Sequence, residues 1–135
     1  MVPLLFANHR FDIVAPAALY WPARNALLVA DLHLEKASFY ARQGQMLPPY
    51  DSQATLDELA NLVDETGATT VFCLGDNYHD GEGEARLEPE AARRLVAMTG
   101  ALEWVWITGN HDRDVVGTWG GQVVDEWTGE GLALR

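Results

Sequence analysis

The segment ALLVADLH, residues 26–33, decides how the rest of the chain is read. Its first five residues are an unbroken apolar run, the pattern of a strand covered on both faces in a sheet with parallel neighbours. A strand with one wet face would alternate instead. The run stops at Asp31-Leu32-His33, where two residues are costly to bury and suited to holding a metal ion. In an extended segment Asp31 and His33 face the same way while Leu32 turns to the other side, so the pair can address one ion.

The arrangement returns twice. TTVFCL (69–74) runs into Gly75-Asp76, and LEWVWIT (102–108) runs into Gly109-Asn110-His111-Asp112. Helical patterns stand between these strands. DLHLEKASFYARQG (31–44) turns helical as it leaves the first. In YDSQATLDELANLVDETG (50–67), Asp51 is the N-cap, Leu56, Leu59, Ala60 and Val63 share a face, and Gly67 is the stop. PEAARRLVAMTG (89–100) carries Pro89 in its first turn and Gly100 at its end. Upstream, RFDIVA (10–15) and AALYW (17–21) read as strands and PARN (22–25) as a turn. The tail GQVVDEWTGEGLALR (121–135) reads as two strands joined around TGEG.

Strands alternating with helices predict an α/β fold with a mostly parallel sheet, and ligands of such sheets gather outside the carboxyl ends of the strands. If the three buried strands are neighbours, their polar clusters meet on one edge as a single site. Asp31 and His33 mix oxygen and imidazole, which suits manganese, iron or zinc rather than calcium. Asp76 has two oxygens with which to bridge two metals, and Asn110 offers a neutral carbonyl to the second. His111 stands beside them, able to exchange a proton with a leaving group. Two divalent ions about 4 Å apart clamp a phosphoryl group and activate its attacker.

Composition narrows the field. At 135 residues and 48% hydrophobic content the chain fits one domain with a real core. No apolar run is long enough to span a bilayer. MVPLLFANHRFD lacks a basic n-region and a cleavage-site pattern, which predicts a cytoplasmic protein. The single cysteine, Cys73, excludes an intrachain disulfide and a cysteine zinc site, and its place in TVFCLG predicts a buried hydrophobe. The net charge of −11 argues against tight, sequence-independent nucleic-acid binding, which relies on basic surfaces. It allows a small substrate, bound metals that invert the local sign, or acids placed away from the site. His9 follows no such strand and reads as a surface residue. GEGEARLE (81–88) reads as a flexible turn, Arg93-Arg94 as solvated, and Trp21, Trp104, Trp106, Trp119 and Trp127 as core or edge packing.

D-L-H (31–33), G-D-N-Y-H-D (75–80) and G-N-H-D (109–112) resemble the first three motifs of the calcineurin-like metallophosphoesterases. LLVADLHLEK, LPPYDSQATL, CLGDNYHD and WVWITGNHD are most similar to the ligase-associated DNA damage response group (PdeM type) within them. The resemblance runs from about Asn25 to Arg135. It implies a β-sandwich flanked by helices in four αββα layers, of which residues 1–135 are the N-terminal portion. It implies two divalent ions, manganese first and iron or zinc as substitutes. Asp31 and His33 then hold the first metal, Asp76 bridges, Asn110 holds the second, and His111 is catalytic. Many family phosphatases have Asp at the place of His79, whereas the double-strand-break repair nucleases tend to have histidine there. His79 therefore points to phosphodiester substrates, with Asp80 and Asp112 fixing loops.

The chain also departs from the family pattern. Its only histidines are His9, His33, His79 and His111, without the family's later lone histidine and G-H-x-H segment. The expected function is a DNA-repair phosphodiesterase or nuclease acting on a nucleic-acid or nucleotide phosphoester, in the company of DNA ligase or exonuclease proteins or of further copies of itself. The alternatives are a nucleotide phosphatase or pyrophosphatase, and an inactive module that packs on a partner chain.

Overall fold

The computed structural model describes residues 2–15, 18–30, 51–74, 89–108 and 119–134. Seven strands form one sheet in the order β1 (Val2–Phe6), β2 (His9–Ala15), β3 (Ala18–Trp21), β4 (Ala26–Ala30), β5 (Thr70–Leu74), β6 (Glu103–Ile107) and β7 (Gln122–Val124). Strands β1 to β4 form an antiparallel meander, and β4 to β7 are parallel. Helix α1 (Asp51–Thr66) precedes β5 and helix α2 (Pro89–Ala101) precedes β6. A separate ribbon pairs β8 (Trp127–Gly129) with β9 (Leu132–Leu134).

Each apolar run of the parallel strands divides between two cores, as a strand covered on both faces must. Leu27, Val29, Val71, Cys73, Trp104 and Trp106 face the helices, where Leu56, Leu59, Ala91, Ala92 and Leu95 meet them. Ala26, Leu28, Phe72, Val105 and Ile107 face the other way, onto Phe11, Trp21 and the ribbon's Leu132, with Trp127 and Leu134 at the margin. The topology explains the division. Right-handed crossovers that always advance to the next strand put their helices on one face. The opposite face is left for the ribbon, so the described residues form helix, sheet and ribbon layers. Burying one large apolar side chain in such a layer is worth about 1.5–3 kcal/mol.

The ribbon is pinned at the end of the sheet where β4 begins. The Arg24 guanidinium lies over Trp127 at 4.9 Å and Trp21 at 5.8 Å from the ring centres, and it pairs with Glu130 at 3.3 Å. His9 is half-buried here. Its Nε2 lies 2.6 Å from the Glu130 carbonyl oxygen, and its ring meets Trp21 edge-on at 5.3 Å.

Asn25 fixes the entry to β4 in the left-handed conformation, at φ 50° and ψ 48°. Its Oδ1 accepts from the Tyr20 hydroxyl at 2.6 Å and its Nδ2 donates to the Gly67 carbonyl at 3.0 Å. Its own carbonyl accepts from the Thr69 N–H at 2.9 Å, which sets β5 beside β4. At the other boundary of that connection, Gly67 (φ 70°) ends α1 with its N–H on the Val63 carbonyl at 2.8 Å. The capping role read for Asp51 rests on a side chain outside the described set.

Three readings are corrected. Strand β1 was not anticipated. Helix α2 runs through Gly100 to Ala101, without the positive φ of a glycine stop at Gly100. The tail forms three short strands rather than two, because QVV joins the large sheet beside β6 and only the last pair makes a hairpin. Arg94 is exposed as expected, yet it also bridges the helices through Asp57 at 2.6 Å.

Candidate functional site

The four parallel strands end flush. Ala30 is in register with Leu74, Leu74 with Ile107, and Ile107 with Val124. With neighbouring strands about 4.8 Å apart, this row of strand ends spans roughly 14 Å. The sheet therefore brings the strand ends Ala30, Leu74 and Ile107 to one edge, one to three residues before Asp31, Asp76 and Asn110 in the sequence. Asp31, His33, Asp76, His79, Asp80, Asn110, His111 and Asp112 themselves lie outside the described residues. Among the described residues no group of three or more His, Cys, Asp or Glu side chains is placed to hold a metal ion. His9, beside Trp21, belongs to the opposite end of the sheet.

The described part of this edge is tightly built. Thr108 is buried although polar, with 4% of its surface exposed. Its N–H donates to the Val124 carbonyl at 2.9 Å, extending the β6–β7 ladder past the last strand residue. Its Oγ1 lies 3.2 Å from Asp125 Oδ1 and 3.4 Å from the Val124 carbonyl oxygen. The start of β7 is fastened too. The Trp106 indole N–H donates to the Gly120 carbonyl at 2.9 Å, and the Thr99 hydroxyl to that of Trp119 at 3.0 Å. Gly121 (φ 90°) lies so close to Trp106 that a Cβ there would be 2.8 Å from Nε1. Sequence reading missed Thr108 and Asp125, whose meeting has no local signal because it depends on β7 lying parallel to β6.

The four described arginines are all ion-paired: Arg10 with Asp12 at 3.1 Å, Arg24 with Glu130 at 3.3 Å, Arg94 with Asp57 at 2.6 Å, and Arg93 with Glu90. Their positive charge is already met by carboxylates, which limits what this part of the surface offers a phosphate.

A mixed sheet whose parallel strands stop in register has the layout of an α/β protein that takes its ligand outside the carboxyl ends of the strands. The chain belongs to the calcineurin-like phosphoesterase family, whose model matches residues 25–132. It is similar to the crystal structure of the Pseudomonas putida nuclease MPE, with 34% identity and a TM-score of 0.71. The match covers 95% of this chain and 62% of that one, so the chain spans less than two thirds of the nuclease's length. No curated protein matches. The family is one of hydrolases that work with divalent metal ions, and the mixed α/β fold corresponds to its N-terminal part.

Proposed function

We propose that this chain carries a phosphodiesterase site of the nuclease type, belonging to the ligase-associated DNA damage response group. The observation that carries the reading is the flush termination of β4, β5 and β6, each leading directly into one of the three motifs. Similarity to a nuclease at 34% identity supports the diester preference, as does histidine rather than aspartate at position 79.

The donor set fits divalent ions. Asp31, His33 and Asp76 would hold the first, and Asp76 with Asn110 the second, a mixture of oxygen and imidazole that favours manganese over magnesium. When bound, such a pair supplies Lewis acidity at the phosphoryl group and lowers the pKa of the attacking water. His111 passes a proton to the departing oxygen, and His79 orients the diester or tunes His111. The described arginines are already ion-paired, and bound metals would add positive charge for a phosphoester at this edge. The net charge of −11 favours a second reading, hydrolysis of small nucleotides by the same site.

The test compares Mn²⁺-dependent hydrolysis of bis-p-nitrophenyl phosphate with that of p-nitrophenyl phosphate. The proposal expects preference for the diester, loss of Mn²⁺ binding in Asp76→Ala, and loss of turnover with retained binding in His111→Ala. Preference for the monoester would transfer the assignment to the phosphatase reading. Unchanged Mn²⁺ affinity in Asp76→Ala would remove the site altogether.

A further inference from the structure

We propose that β1 is a docking edge for a second copy of this chain, the two β1 strands pairing antiparallel about Leu5. Strand β1 ends the seven-stranded sheet, with β2 as its one neighbour among the described residues. Such edges are commonly protected by charged side chains, and VPLLF has none. Five large apolar side chains stand exposed among the described residues, and four of them are here: Leu4 (43%), Leu5 (78%) and Phe6 (64%), with Ile13 (37%) on β2. Leu4 lies opposite the core residue Phe11 and Phe6 opposite His9, which puts both on the ribbon side of the sheet. Leu5 lies opposite Arg10 on the helix side.

The main chain makes this edge self-complementary. Ala7 and Asn8 both have positive φ, 51° and 65°, as in the two-residue turn whose flanking pair, here Phe6 and His9, is hydrogen-bonded. Bonded and non-bonded pairs alternate along an antiparallel ladder. Leu4 is therefore bonded to β2 as well, while Pro3 and Leu5 turn their main-chain groups to the open edge. Proline has no N–H, so Leu5 alone offers both a donor and an acceptor there. A copy related by a two-fold axis at Leu5 matches that pattern, each Leu5 N–H donating to the carbonyl of the other. Leu4 of one copy then meets Phe6 of the other on the ribbon side, and the two Leu5 side chains meet on the helix side.

Charge and area favour the same occupant. Arg10, beside Leu5, is paired with Asp12 at 3.1 Å, so the edge is a neutral island on a chain of net charge −11. A basic partner would be drawn to the acidic surface instead, and two acidic copies can meet only where neither brings charge. The four side chains expose roughly 400 Å² per copy, the size of patches that mark association sites. Two copies with their strand backbones bury roughly 800–1,000 Å², at the low end for specific association. The dimer is correspondingly weak, with a Kd on the order of 10–100 μM.

Sedimentation velocity on the full chain, over concentrations that bracket this Kd, tests the pairing. The wild-type chain is expected to pass from monomer to dimer, more readily at about 0.5 M than at about 0.05 M salt, because salt screens the repulsion between the copies. Leu5→Pro removes the one outward N–H, and with it both bonds of the central pair, and should weaken the dimer about tenfold or more. Leu5→Lys sets two like charges side by side and should weaken it similarly. Val96→Lys, at the fifth exposed apolar residue, on α2, should leave it unchanged. Leu5→Cys should give a disulfide-linked dimer on mild oxidation, since opposed residues of a bonded pair have Cα atoms about 5.5 Å apart, within reach of a disulfide. The native Cys73 is buried and stays out of that reaction. If Leu5→Pro does not fold, Leu5→Lys carries the comparison. A wild-type chain that stays monomeric throughout overturns the proposal. So does a dimer that survives Leu5→Lys, one that dissociates as salt rises, or a Leu5→Cys chain that does not cross-link.

Discussion

Asn25 ties β3, the entry to β5 and the end of α1 to the start of β4, and replacing it gives a graded test. Asn25→Ala removes the bonds to Tyr20 (2.6 Å) and Gly67 (3.0 Å), each worth about 0.5–1.5 kcal/mol net. Both partners can reach water, which puts the pair near the lower half of that range, about 1–2 kcal/mol. Alanine must also adopt φ 50°, at a further cost of about 1 kcal/mol. The expected loss is about 2–3 kcal/mol, a fall in Tm of roughly 6–12 °C for a domain of this size. Asn25→Gly loses the same bonds without the left-handed strain, and should be at least as stable as Asn25→Ala, by up to about 0.6 kcal/mol after its own entropy cost. Tyr20→Phe, which removes one bond, should lose about 0.5–1 kcal/mol. Urea denaturation with a common m-value measures all three. An Asn25→Ala loss below about 0.5 kcal/mol, or a glycine variant less stable than alanine, would refute the assignment of Asn25 as the joint between β3, β4 and β5.

Gly121→Ala should destabilise by about 2 kcal/mol or more, since its Cβ would meet Trp106 Nε1 at 2.8 Å from a positive φ; denaturation followed by tryptophan fluorescence reads it. Trp127→Ala removes ring contacts to Phe72 (4.9 Å) and Trp21 (6.0 Å). The half-buried site predicts a loss of about 2–4 kcal/mol by chemical denaturation. Asp57→Asn should cost no more than about 0.5 kcal/mol, and less in high salt, because its ion pair with Arg94 is solvent-exposed. Calorimetry of the 135-residue chain should find one Mn²⁺ site tighter than the other, because the first metal has three proposed protein ligands and the second has two.

The parallel half of the sheet was readable because its signals are local and redundant. ALLVA, TVFCL and EWVWI are short apolar runs, and burial on both faces follows from that alone. Strand β1 gave no such signal. It is an edge strand with Pro3 inside it, and Leu5 and Phe6 stand 78% and 64% exposed, so no apolar face alternates with a polar one. β7 was misassigned because three residues carry no periodicity, and its partner was chosen by a crossover rather than a turn. For the site, the common edge of the strands was legible. The Thr108–Asp125 contact was not, because it joins positions 17 apart through a parallel register that no local pattern encodes.

The seven-stranded sheet has a strand order identical to its order in the chain. Each strand therefore lies beside the one made just before it, and none has to be inserted between two that are already paired. The first four form a meander closed by short connections, the least entropically costly pairings in the molecule. Synthesis from the amino terminus can lay these down early and leave β4 as an open template edge. Translation then supplies β5, β6 and β7 in the sequence in which that edge needs them. The sheet can grow as the ribosome delivers it, and the row of strand ends at the proposed site is completed only when Val124 has emerged.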